Sequence, residues 1–262
     1  MSQNRIMRDH IRALLKKDAR PDGRGFLDYR TCLSVEYGVS PKTAEGSARV
    51  RIGKTDVIAG IKLGLATPYP DQQDQGTIMV GAELTPFSNK NFEMGPPSIA
   101  SIELARVVDR GIRESGAIDL KKLCVKAGEQ VWQVFIDIYP INDDGNLRDA
   151  ASLAALAALK DTLFPTLDKK TGMVDYYTKT KTKLPLNDEP LEITVIKIGD
   201  TFLVDPTLEE EEYLDARITV ALLKDGTICG MQKGGTEALS TEDISQMVKI
   251  AGDTVKTLRK VL

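Results

Sequence analysis

Three arginines, Arg106, Arg110 and Arg113, fall within the eight-residue stretch RVVDRGIR. At about 100° per residue they share a helical sector of roughly 60°. Leu104, Val107, Val108 and Ile112 lie broadly on the other side. A helix over 98–115 would pack through that aliphatic face and carry the guanidinium groups away from its own core. The planar donor fork of arginine matches phosphate oxygens, so the stripe is a candidate phosphate clamp. The competing reading is an ion-paired, solvated face. Glu103 with Arg106, Asp109 with Arg113, and Arg110 with Glu114 stand three or four residues apart, at about 0.2–0.5 kcal/mol per pair. On spacing alone the helix favours the paired face.

Two acidic clusters also bear on chemistry. Residues 142–152, NDDGNLRDAAS, run from a turn into an Ala-rich helix over 148–162. A helix start attracts anions through its free N–H groups and dipole. Here Asp143, Asp144 and Asp149 crowd that start, and Asp149 is placed to take up donors that a phosphate would need. Arg148 reads as structural, paired with a nearby acid. Further on, Asp205 precedes the run Glu209–Glu212 after a strand. Paired acids at a strand end can hold magnesium, but four adjacent glutamates read as a solvated loop, and no metal site is assigned. The lysine-rich run Lys169–Lys183, with Tyr176 and Tyr177, could stack and bind single strands. It too reads as a solvated loop.

The elements that must position these groups are of mixed type. The chain has 262 residues and a formal net charge of −3, so no chain-wide basic field recruits nucleic acid, and any such contact must be local. Its three cysteines, an odd number set far apart, fit neither a disulfide framework nor a CxxC zinc site. The single histidine, His10, rules out histidine acid–base pairs and multi-histidine metal sites. No signal-like or membrane-spanning apolar run opens the sequence, and a cytoplasmic protein is expected.

Ile6, Ile11, Leu14 and Leu15 predict an N-terminal helix over 5–17, stopping near Asp18. Strands are predicted near 32–39, 47–52, 55–63, 77–84 and 131–139, mostly antiparallel, and a last helix over 241–260. The class is α+β. Ile52-Gly53-Lys54-Thr55 and Ile198-Gly199-Asp200-Thr201 each read as a strand, a Gly-X turn and a returning strand. This echo suggests two related halves.

Several motifs carry a resemblance that covers nearly the whole chain. RPDGRG (20–25), PYPD (68–71), GPP (95–97), ELARVVDRGIRES (103–115) and NDDGNLRDAASLAA (142–155) resemble the RNase PH family, in the branch of the non-catalytic subunit of the archaeal exosome core. The resemblance implies a single RNase PH-like domain of two related β-α halves, about 20–165 and 185–262, with mixed or antiparallel sheets packed against helices. It also implies a cytoplasmic six-membered ring, a trimer of heterodimers with an active paralogue. RNA-binding cap proteins would attend the ring. The paralogue would degrade single-stranded RNA from its 3′ end with inorganic phosphate, and with Mg²⁺ as a candidate metal of its site. No cofactor and no membrane contact is implied for this chain.

Active members carry a G-G-T-R phosphate motif. Here the aligned residues are Asp144-Gly145-Asn146-Leu147, so only the second glycine remains, and Arg148 stands one position late. Of the two aspartates six residues apart in active members, Asp205 matches the first and Glu211 replaces the second. The resemblance therefore implies no catalytic residue in this chain and assigns RNA contact to Arg106 and Arg110. Arg113 is left to RNA, an interface or an ion pair. Two rivals stand beside this reading. One is an active phosphorolytic 3′-to-5′ exoribonuclease using Asp205 and Glu211; the other is a purely architectural subunit whose arginines meet acids of a neighbour.

Overall fold

A computed structural model describes residues 2–168 and 172–262. The first helix, α1, runs over Ser2–Leu15 rather than 5–17. It ends early because Asp18 takes a left-handed φ of 54°, closing a turn in which the Ala19 N–H returns to the Leu14 carbonyl. Ile11 and Leu15 anchor it on Ile196, Ile198 and Leu203. His10 is exposed on this helix.

Strands β1 (Ser34–Tyr37), β2 (Gly46–Ile52), β3 (Thr55–Ala66) and β4 (Thr77–Ala82) precede α2 (Ile99–Glu114). The first strand is shorter than 32–39 because Cys32 and Gly38, both at φ 67°, bound it. After α2 come β5 (Cys124–Lys126), β6 (Gln130–Asn142) and α3 (Leu147–Asp161). The large sheet has the order β1-β2-β3-β6-β4, with β5 also on β6. Only β4 pairs in parallel, and it forms one edge of the sheet.

A two-stranded ribbon follows, β7 (Leu163–Leu167) with β8 (Val174–Lys183). The loop expected over Lys169–Lys183 is thus mostly strand; positions 169–171 lie outside the described residues. Its adjacent tyrosines and the Thr-Lys alternation over 178–183 favour a pleated backbone over a coil. Lys179 is fastened to the Ala44 carbonyl at 2.5 Å, and Lys62 lies 5.1 Å from the Tyr176 ring centre.

The second sheet orders β10 (Thr201–Val204), β9 (Leu191–Ile198), β11 (Ala216–Leu222) and β12 (Ile228–Gly235), all antiparallel. The two echoed hairpins, β2-β3 and β9-β10, each turn on a glycine at φ 60°, Gly53 and Gly199, a conformation open to residues without a Cβ. Between β10 and β11 sits α4 (Leu208–Glu212), and α5 (Thr241–Arg259) closes the fold.

The glutamate run is therefore a capped helical turn. The Thr207 side chain and the Glu210 backbone form a capping box, and Glu210 is buried. Helix α3 is the shared spine. Ala150, Ala151, Ala154, Ala155, Ala157 and Ala158 are all buried, letting β2, β3 and β6 pack against it from one sheet and β9 from the other. One hydrophobic cluster runs through both sheets, α2, α3 and α5.

Candidate nucleic-acid interface

Two places in this fold concentrate arginine, and they are built in opposite ways. The first surrounds the start of α3. Arg20 is buried and forks onto Glu210 at 2.9 and 2.5 Å, also reaching the carbonyls of Val204 and Asp205. Arg24 reaches Asp22 and the Asp205 carboxylate, with its chain turned by Gly23 at φ 78°. Arg30 reaches Asp205 with its backbone N–H, Nε and Nη2, at 2.7, 3.0 and 2.8 Å. Asn146 adds an amide donor to Asp205 Oδ1 at 2.9 Å.

Asp205 is 0% exposed, and these five donors fill the roughly four lone-pair sites that a carboxylate offers. Its left-handed φ of 47° is held by Arg20 and Arg24 on its carbonyl. The motif at 20–24 thus fastens the N-terminal segment to β10 and α4.

The successive N–H groups of Gly145 and Asn146, at φ 89° and 59°, form the kind of concavity that binds anions. The chain's own acids fill it: Asp143 Oδ1 accepts from Gly145 at 3.0 Å and Glu211 Oε1 from Asn146 at 3.1 Å. Gly145 itself is required by packing, since a Cβ there would strike the backbone of Pro206 and Thr207. Burial pushes the Glu211 carboxyl up against the opposing pull of Arg148. Its Oε1 already accepts the Asn146 N–H. Asp149 accepts from Tyr29, Asn146 and the Thr194 N–H; burial pushes it up to about 7 despite those donors.

The second place is α2. Ser98 caps its start by accepting from the Ser101 N–H. Leu104, Val107, Val108 and Ile112 are buried, as the spacing predicts, and Arg106, Arg110 and Arg113 are all exposed. Their partners are only partly those expected from helical spacing. Arg113 forks onto Asp109 at 3.1 and 2.6 Å and donates to the Ile78 carbonyl of β4, so it staples the helix to the sheet edge.

Arg110 donates to Gln232 Oε1 of β12 at 2.9 Å instead of meeting Glu114. Glu103 turns from Arg106 to Arg217 at 2.5 Å and Arg148 at 3.5 Å. Burial pushes Glu103 up, but those two guanidinium groups outweigh it and hold its carboxyl below the usual range. Arg148 also lies 3.8 Å from Glu211, tying α3 to α4. Arg106 is left with no hydrogen-bond or ion-pair partner among the described residues. The spacing could not show Gln232, Arg217 or Glu192, because they arrive from strands about a hundred residues away.

Glu192 lies directly beneath α2, where Gly111 makes room for it. It is buried, its Oε2 has no partner, and burial with the repulsion of Asp149 pushes it up to about 8.

The 3′ exoribonuclease family matches over most of the chain, its domain 1 at residues 30–165 and its domain 2 at residues 188–254. The exosome complex component Rrp42 of Methanocella arvoryzae is 47% identical over 98% of this chain and 95% of that protein. Its counterpart from Archaeoglobus fulgidus is 42% identical over 97% and 95%. Among solved structures, the Archaeoglobus fulgidus exosome with RNA bound to the active site superposes with a TM-score of 0.90 at 42% identity, covering 99% of both chains. An archaeal exosome core gives 0.84 at 40% identity, covering 99% of this chain and 98% of that one.

Proposed function

Because the chain belongs to the RNase PH family of 3′ exoribonucleases, we propose that it is the non-catalytic, RNA-binding subunit of a cytoplasmic exosome ring. In this reading it alternates with an active paralogue in a trimer of heterodimers, with RNA-binding cap proteins above. It binds single-stranded RNA through Arg106 and Arg110. The paralogue performs 3′-to-5′ phosphorolysis with inorganic phosphate, and any Mg²⁺ belongs to that partner's site.

The observation that carries this reading is the fate of Asp205. A carboxylate that takes part in catalysis must keep an oxygen for substrate, water or metal. Every oxygen of Asp205 is engaged by Arg24, Arg30 and Asn146, and the neighbouring anion concavity is filled by Asp143 and Glu211. Chemistry at Asp205 and Glu211 would require this buried network to be dismantled. Arg106 and Arg110, one helical turn apart, instead offer guanidinium groups to solvent.

Their role is positioning. Two cations one helical turn apart neutralise RNA phosphates so that the 3′ end stays in the partner's site. Such contacts carry no base information, so sequence discrimination is weak. The test is phosphorolysis of a single-stranded RNA by this chain alone, by the paralogue alone and by both together. The expected outcome is activity only where the paralogue is present, highest for the mixture. Phosphate-dependent release of nucleoside diphosphates by this chain alone would establish the rival using Asp205 and Glu211. A ring that falls apart in Arg106→Glu with Arg110→Glu would establish the architectural rival.

A further inference from the structure

A groove of about 390 Å³ opens between β4, β6 and the first turns of α2. Val80, Ala82, Ile102 and Ala105 give it apolar lining, and Glu83, Asp137 and Tyr139 give it an acidic side on which Asp137 is half-buried and Glu83 and Tyr139 are exposed. The Asp137 carboxylate has no hydrogen-bond partner among the described residues. Glu83 accepts only a long bond from the Tyr139 hydroxyl, 3.3 Å, besides its backbone contacts. Burial and the repulsion of Glu83 push Asp137 up from the usual carboxylate range. No cation relieves the pair: Arg106 lines the same groove and pairs with neither acid among the described residues. Two neighbouring carboxylates, one of them half-buried, thus line a half-apolar cleft with no ion pair of their own among the described residues.

The surroundings point to a protein that covers the groove. Ile99 is 88% exposed, Met94 80%, Phe87 81%, Met79 54% and Ile102 49%. These apolar residues lie on and around one end of α2 and the free edge of β4, more apolar surface than isolated side chains account for. A phosphate is unsuited to an acidic side, whereas the stem of a lysine or arginine suits apolar lining and its charged head suits two carboxylates beside an aromatic ring.

We propose that this groove is the socket for an arginine or lysine side chain of the neighbouring ring subunit, with Glu83 and Asp137 as its receptor pair. The inference rests on the ring reading above and gives it a residue-level contact. The guest cation meets both acids at once and removes their mutual repulsion. Meanwhile the exposed isoleucines and methionines are covered by the same neighbour. Charge complementarity at this point fixes the register of the two subunits beside Arg106, so assembly and the RNA contact are set by one face of α2.

The experiment measures association of this chain with its paralogue by sedimentation at physiological salt, for wild type, Glu83→Gln with Asp137→Asn, and Glu83→Lys. Thermal melting of the isolated chain is the folding control. Neutralising two acids that repel each other should leave that melting temperature unchanged or slightly raised, while weakening association by about tenfold or more; Glu83→Lys should weaken it further. Opposite signs in the two measurements are the signature of a receptor pair. Association within twofold of wild type for both variants overturns the proposal. Unchanged association with lowered RNA affinity overturns it too, and would make the groove a nucleobase subsite or a counter-ion for Arg106. If the wild-type chain itself fails to associate, the ring reading falls and the socket falls with it, whereas normal wild-type association with unaffected variants overturns the socket alone.

Discussion

The start of α3 and the outer face of α2 use the same side chain for opposite ends. Around α3, the buried Arg20 and Arg30 and the partly buried Arg24 each meet a buried carboxylate, and every fork is consumed in holding strands and turns together. On α2, Arg106 and Arg110 face solvent, with one neutral partner between them, Gln232. The difference lies in where the acids sit. A buried guanidinium without a carboxylate is prohibitively costly, so an interior arginine is committed by its partner. An exposed one keeps its donors for a ligand.

The sharpest way to break this contrast is to remove the acid that commits the interior set. Asp205→Ala leaves Arg24 and Arg30 without their buried partner and should destabilise the chain by about 3–5 kcal/mol, lowering Tm on the order of 10 °C. Calorimetry of the isolated chain checks this; an unchanged Tm would mean that the interior arginines are as free as those of α2.

The matching change on α2 is Arg106→Glu with Arg110→Glu, which should leave Tm within about a degree. RNA affinity of the assembled ring should fall on the order of 100-fold. The slope of log affinity against log salt should shrink by about 1.4, at about 0.7 for each of two lost single-strand phosphate contacts. Filter binding over a salt series reads both quantities.

Glu192 sharpens the comparison from the acid's side, because it is a buried carboxylate without an arginine. With a folded value near 8, well above that of an unfolded glutamate, the native state holds the extra proton. Its stabilising contribution is full below the unfolded value and is lost as pH rises through 8. Glu192→Gln should therefore melt close to wild type near pH 4.5 and a few degrees above it at pH 9.

The smallest effect is expected at Gln232→Ala. Releasing Arg110 from its strand-borne partner should weaken RNA binding by about two- to threefold without changing the salt slope, at the scale of one exposed hydrogen bond.

The class, the long helices and the paired hairpins were legible because they rest on local periodicity: 98–115, 148–162 and 241–260 lie within one or two residues of α2, α3 and α5. The α2 stripe was legible for the same reason, its buried and exposed faces following from 100° steps. What escaped were decisions made by distant partners. Nothing adjacent to Glu210 announces that Arg20, 190 positions away, will bury it, so four glutamates in a row looked solvated. The basic run before Lys183 reads as a loop on charge alone, because its lysines alternate with the threonines of the strand that pairs with β7. Glu103 was assigned to Arg106 by spacing and taken by Arg217 from β11.

The alanines of α3 have a mechanical consequence. Because their side chains are so short, two sheets close on the same rod from different directions, and a single apolar interior joins what the family divides into two domains. The sheet that supports α2 and the one that supplies Gln232 are thus packed on one spine. If RNA is held at Arg106 and Arg110 as proposed, it meets a firmly backed helix, and the disorder surrendered on binding is confined to those two arginine side chains and the RNA itself.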